Sequence, residues 1–138
     1  MCLAVYVASD VPLPESKWNE QAPAVYLQPV PESAAVRRQF SLQHVYYAGS
    51  HEGCGCGFRK RGTFDQEWQQ CQDNYRQLAD ALSSAVRHGA RVQIFTCWEG
   101  DQATAPDRIG VVTLQELVEP PFELEELSLL HVQSPSLK

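Results

Sequence analysis

Residues 64–88 read FDQEWQQCQDNYRQLADALSSAVRH, and this stretch decides the fold. Phe64, Trp68, Cys71, Tyr75, Leu78, Leu82 and Ala85 recur at steps of three and four. That spacing is one apolar stripe on a helix of 3.6 residues per turn. Thr63 with Gln66 makes a capping-box pattern at its start, and Asp65 and Glu67 suit the positive end of the helix dipole. Arg87 and His88 suit the negative end, and Gly89 can close the helix in the left-handed conformation.

Strand patterns flank the helix. HVYYAG at 44–49 is rich in β-branched and aromatic residues and predicts a central strand. Arg91 to Trp98 predicts another. A strand, a long helix and a strand normally give two parallel strands joined by a right-handed crossover. The loop after Gly49 and the end of the 91–98 strand then share the carboxyl edge of the sheet, where open α/β sheets bind ligands. Residues 51–63 are thereby brought towards Cys97, Trp98 and Glu99.

The remaining elements are shorter. Cys2 to Ala8 reads as a strand, and Ala24 to Gln28 as a second one ended by Pro29 and Pro31. Pro12, Pro14 and Pro23 make residues 9–23 a loop, which Trp18 should pin to the body. Thr113 to Val118 is a short helix with its own capping box, Thr113 and Glu116. Leu127 to Val132 is the last strand. The expectation is a single α/β domain over residues 1–138, with about five strands in a mixed sheet and one layer of helix on one face. The other face falls to the 9–23 loop, the C-terminal segment or a second subunit, so a homodimer is one candidate.

The chain of 138 residues carries a formal net charge of −6, which disfavours nucleic acid and anionic membranes as partners. Its start, MCLAVYVASD, lacks the basic region of a signal peptide. No stretch approaches the roughly 20 apolar residues of a membrane span. Five unevenly placed cysteines fit free or metal-bound thiols in a reducing cytoplasm better than a disulfide framework.

Chemistry concentrates in GSHEGCGCGFRKRG, residues 49–62. If residues 53–58 are extended, Cys54, Cys56 and Phe58 share one side and the other is bare glycine. Four readings follow. In the first, Cys54 and Cys56 bind zinc or iron with Cys97, and His51, Glu99 or Cys2 completes the set; His51 is the leading fourth ligand. In the second, Cys54 and Cys56 are a redox pair, activated by the following helix start and the basic run. In the third, the backbone at Gly55 and Gly57, with Arg59 and Arg61, cradles a small anion, although neither phosphate-loop fingerprint is matched. In the fourth, the loop is a tight turn with two inert buried thiols. Phe58, Trp98 and Glu99 would wall any pocket there.

The run VYYAGSHEGCGCGF at 45–58, with ASDVPLP at 8–14, resembles small bacterial proteins to which no function is assigned. The resemblance implies no activity. Elsewhere, Cys71 belongs to the apolar stripe, Cys2 reads as a buried strand residue, and His44 is a candidate supporting partner beside the loop. Glu52 could serve as a general base or remain a solvated carboxylate. No Ser–His–Asp arrangement or nucleophile elbow is present, so enzymatic activity is left undecided.

Overall fold

The computed structural model describes residues 2–60 and 66–134. Six strands form one sheet: β1 (Leu3–Ser9), β2 (Tyr26–Pro29), β3 (His44–Gly49), β4 (Val92–Trp98), β5 (Arg108–Thr113) and β6 (Ser128–Gln133). Helix α1 (Gln66–Arg87) lies between β3 and β4 in the chain, and the short α2 (Leu114–Leu117) follows β5. The strand order is β2-β3-β1-β4-β6-β5. Neighbours are antiparallel except β5 and β6, which are parallel.

One feature of this order positions the site. β3 and β4 run parallel, as the crossover predicts, but they are not neighbours. β1 lies between them, antiparallel to both, with Val5 opposite Ala48 and Leu3 opposite Trp98. The end of β3, the end of β4 and the beginning of β1 therefore meet at one edge. The Glu99 amide donates to the Cys2 carbonyl there at 2.8 Å.

α1 buries the stripe its sequence prescribes, with Cys71, Tyr75, Leu78, Leu82 and Ala85 all buried. They pack on Leu3, Val5 and Val7 of β1 and on Val92 and Ile94 of β4. The alternate residues of the same strands, Ala4, Tyr6, Ala8, Phe95 and Cys97, face the opposite side, as a period of two requires. That second face is covered by residues from the segment 30–42, including Val36, Phe40 and Leu42. Phe40 meets Phe95 edge to face, with ring centroids 6.3 Å apart. Among the described residues the 9–23 loop does not supply this cover, and Leu127 packs at its margin. Leu13 of the 9–23 loop joins the α1 side instead.

The sheet has six strands rather than about five. The additional strand is β5, RIGVVT, a β-branched run interrupted by Gly110 and overlapping the cap of α2. That cap forms as its sequence predicts: Thr113 Oγ1 accepts from the Glu116 amide at 3.0 Å, and Glu116 Oε1 accepts from the Thr113 amide at 2.9 Å. Gly89 closes α1 with φ +84°. The Thr63–Gln66 box, Phe64 and Asp65 fall wholly or partly outside the described residues. Among the described residues, no helix is long and apolar enough to cross a membrane.

Candidate metal centre

The loop after β3 is not extended. Cys54 has extended backbone, but Gly55–Phe58 forms a 3-10 turn, so a strand-like alternation does not place the thiols. Packing against β1 does. A Cβ on Gly55 would stand 2.5 Å from the Leu3 carbonyl oxygen and 3.0 Å from its carbon. Glycine is what allows the turn to lie directly on the start of β1. The Leu3 amide then donates to Cys56 Sγ at 3.4 Å.

Ser50, at the end of β3 and fully buried, holds the loop from inside. Its Oγ donates to the Cys54 carbonyl at 2.5 Å and accepts from the amides of Glu52 (3.2 Å) and Gly57 (3.1 Å). Gly57 has no room for a side chain, because a Cβ would run into the Ser50 side chain and the Asn74 amide. Asn74 of α1, also fully buried, donates from Nδ2 to the Gly57 carbonyl at 2.9 Å. The same nitrogen lies 2.9 Å from His51 Nδ1. Donation by that amide nitrogen would use Nδ1 as its acceptor. Trp18 Nε1 donates to the His51 carbonyl at 3.0 Å, which is the pinning contact expected of Trp18.

This scaffold gathers three sulfurs. The thiols of Cys2, Cys54 and Cys56 all lie within 4.8 Å of one another. Cys2 is exposed, and the loop thiols are half-buried. Zinc–sulfur bonds of about 2.3 Å set tetrahedral sulfurs about 3.8 Å apart, so the three thiols need only a small contraction to share an ion. Burial, reinforced by the neighbouring Cys56 and Cys2 thiols, pushes the Cys54 thiol up to about 12. Burial also acts to raise Cys56. There the Leu3 amide and hydrogen bonds from the Cys54 and Cys2 thiols outweigh it and bring the thiol below its ordinary value.

The other sequence candidates sit elsewhere. Cys97 is fully buried on the far side of the sheet, opposite Ala4. A register shift of one residue from Trp98 is enough to turn it away, because successive strand side chains point to opposite faces. Burial, with the Glu99 and Asp101 carboxylates, pushes its thiol up to about 12. His51 is not in the three-thiol group, and its Nδ1 is committed to Asn74. The Glu99 carboxylate accepts from Gln102 Nε2 at 2.7 Å. Phe58 is fully buried against Tyr75, with centroids 5.3 Å apart, and Tyr75 Oη donates to its carbonyl at 2.6 Å.

The groups proposed for an anion are also engaged. The Gly57 amide is taken by Ser50, and Gly55 is pressed against Leu3. The Arg59 guanidinium lies over the Trp98 ring at 4.9 Å. Both line a shallow cleft with Leu3 and Glu123. Lys60 donates through its amide to Glu123 Oε2 at 2.7 Å and through Nζ to the Pro120 carbonyl at 2.5 Å. Arg61 lies outside the described residues.

The sequence offers Cys2 only as one of three alternatives for the last ligand and otherwise as a buried strand residue; it is exposed, directly precedes β1, and enters the group through strand order, which local sequence does not display. Ser50 and Asn74 carry no sequence signal, since a serine after a strand and a polar residue on a helix are ordinary in sequence. In comparisons with protein-family models, with curated proteins and with solved structures, nothing matches this chain.

Proposed function

We propose that this protein binds a thiophilic metal ion, zinc in the first instance, through Cys2, Cys54 and Cys56. The observation that carries the reading is the convergence of three thiols from two distant segments within 4.8 Å of one another. Sulfur donors select zinc, copper(I) or iron over hard cations such as magnesium. Three protein thiolates leave one tetrahedral position for an exogenous ligand, as in zinc sites that exchange ligands. Ion binding would tie the start of the central strand β1 to the loop that follows β3. The role is therefore structural or regulatory, with ion occupancy coupled to the order of that edge.

The test is elemental analysis of protein purified without chelator, beside the Cys54→Ser/Cys56→Ser double variant. About one equivalent of metal in the wild type, absent from the variant, supports the reading. Metal in neither protein, followed by failure to take up added zinc, defeats it.

One arrangement favours thiol chemistry as a second reading: Cys54 and Cys56 lie within 4.8 Å of one another, and the Leu3 amide and the neighbouring thiols lower Cys56 while burial raises Cys54. A Cys56 thiolate attacking a substrate disulfide would form a mixed disulfide and release one substrate thiol. A neighbouring thiol would then displace the second substrate thiol and leave an intramolecular disulfide. Reversible loss of two thiols on treatment with a small disulfide, unaffected by chelator, would select this reading over the metal.

A further inference from the structure

The three-thiol group is rich in sulfur and short of other donors. Among the described residues, Cys2, Cys54 and Cys56 are the one set of three or more metal-ligating side chains that converge, and no imidazole or carboxylate belongs to it. The candidates for a fourth place are held elsewhere. His51 Nδ1 lies 2.9 Å from Asn74 Nδ2, and Glu52 Oε2 lies 3.9 Å from His51 Nε2. The Glu99 carboxylate accepts from Gln102 Nε2. The turn cannot be redrawn cheaply to recruit one of them, because Gly55 lies against the Leu3 backbone and Gly57 against Ser50 and Asn74. Charge narrows the choice of ion. Three thiolates on a divalent ion leave one negative charge, and on a monovalent ion two. A trivalent centre leaves none. The loop thiols are half-buried, the Glu52 carboxylate repels further negative charge on Cys56, and the whole chain carries −6. The neighbouring cations are engaged, Arg59 over the Trp98 ring and Lys60 on the Pro120 carbonyl. Burying an uncompensated charge is costly, so a neutral three-sulfur complex suits this edge best.

We propose that Cys2, Cys54 and Cys56 together bind a trivalent metalloid from its hydroxide, with arsenite as the representative ligand. Such a centre is soft, as sulfur donors require. It is satisfied by three thiolates on one side and turns its lone pair to the other. The exposed position of Cys2 leaves that other side to solvent. Three arsenic–sulfur bonds form and three arsenic–oxygen bonds break. Each thiol proton leaves with a hydroxyl group, so arsenious acid and three thiols give a neutral trithiolate and three waters. Arsenic stays trivalent, and no oxidant or reductant takes part. The proposal rests on the three-thiol convergence behind the zinc reading and deepens it. The two ions become exclusive occupants: arsenite expels zinc and ties the start of β1 to the turn in its place.

Native mass spectrometry of the full chain with arsenite tests it, in a phosphine reductant without added thiols. Phenylarsine oxide, which can bond to only two sulfurs, is run beside it, and zinc is titrated into the same preparation. Binding by three sulfurs adds one arsenic and removes three hydrogens. Binding by two sulfurs retains a hydroxyl and leaves the adduct heavier by one water. The expected result is one arsenic in the lighter form, taken up at the expense of zinc. Cys2→Ser should weaken arsenite by at least about a hundredfold, the usual worth of a further linked contact. Phenylarsine oxide should still bind that variant through Cys54 and Cys56, which shows that those thiols remain free and close. Cys97→Ser should change neither reagent. No bound arsenic, the heavier form, or a Cys2→Ser protein that keeps its arsenite affinity would overturn the proposal. So would loss of both reagents in that variant, because Cys2 would then act on the turn and not as a ligand. Zinc binding in any of these cases leaves the zinc reading standing alone. Arsenite binding as expected without zinc uptake removes the zinc reading only.

Discussion

The Leu3 amide and Cys56 Sγ meet at 3.4 Å across 53 residues of sequence. This contact joins the central strand to the loop and makes Cys2, the next residue outward, a neighbour of both loop thiols. Cys2 and Cys97 therefore exchange the roles that sequence spacing suggests for them. Cys2→Ser should weaken zinc affinity by more than the roughly 10–100-fold that loss of a supporting partner costs. Cys97→Ser should leave affinity within about twofold but cost about 1–3 kcal/mol of stability, because it buries a hydroxyl in an apolar cluster. Competition titration with a zinc chelator and urea denaturation separate the two effects. Loss of affinity in the Cys97 variant with Cys2 neutral would reverse the assignment.

The fold was legible where periodicity is long. The stripe of α1 and the strand pattern of 44–49 each specify one element and one buried face. What periodicity cannot show is which strands become neighbours. The expected crossover is present, but insertion of β1 between β3 and β4 changes which cysteine reaches the shared edge. β5 was obscured by its central Gly110 and by the capping box that claims Thr113. The candidate site was legible as a loop, and Cys54 and Cys56 do come together. Its third thiol, and the Ser50 and Asn74 that hold it, depend on contacts far apart in sequence.

Gly55→Ala tests the close approach to β1. The added methyl would press on backbone atoms of Leu3, in a strand paired on both sides, so neither partner gives way cheaply. The expected cost is about 1–3 kcal/mol, in the range of overpacked cores. Zinc affinity should fall with it, because the turn carrying Cys54 and Cys56 moves off Leu3. Thermal unfolding and zinc titration of one preparation read both. An unchanged melting temperature would mean that the turn does not rest on β1 as described.

Ser50→Ala removes one buried hydroxyl and leaves the amides of Glu52 and Gly57 without their acceptor, while the Cys54 carbonyl keeps its bond from the Ser50 amide. The expected cost is about 1–3 kcal/mol, with faster hydrogen exchange confined to the loop after β3. Uniformly faster exchange across the sheet would place the role of Ser50 in the global core instead.

Alkaline pH should destabilise the metal-free protein. The Cys54 and Cys97 thiols, ordinarily near 9.0, are both pushed up to about 12 in the fold, chiefly by burial. Tyr47 and Tyr75 are raised for the same reason. For a raised group the fold shelters the protonated form. Its contribution is complete below the unfolded value and is lost as pH climbs to the folded one. Urea midpoints should therefore fall between about pH 9 and pH 12, and Cys97→Ala should remove part of that slope. A midpoint that holds constant across the interval would contradict the burial of these groups.

The most direct test of the central claim is zinc K-edge X-ray absorption on protein loaded with one equivalent of zinc. The account predicts a shell of three sulfurs at about 2.3 Å with one lighter donor, falling to two sulfurs in the Cys2→Ser protein and unchanged in the Cys97→Ser protein. A shell dominated by nitrogen and oxygen, or one that loses sulfur when Cys97 rather than Cys2 is replaced, would contradict it.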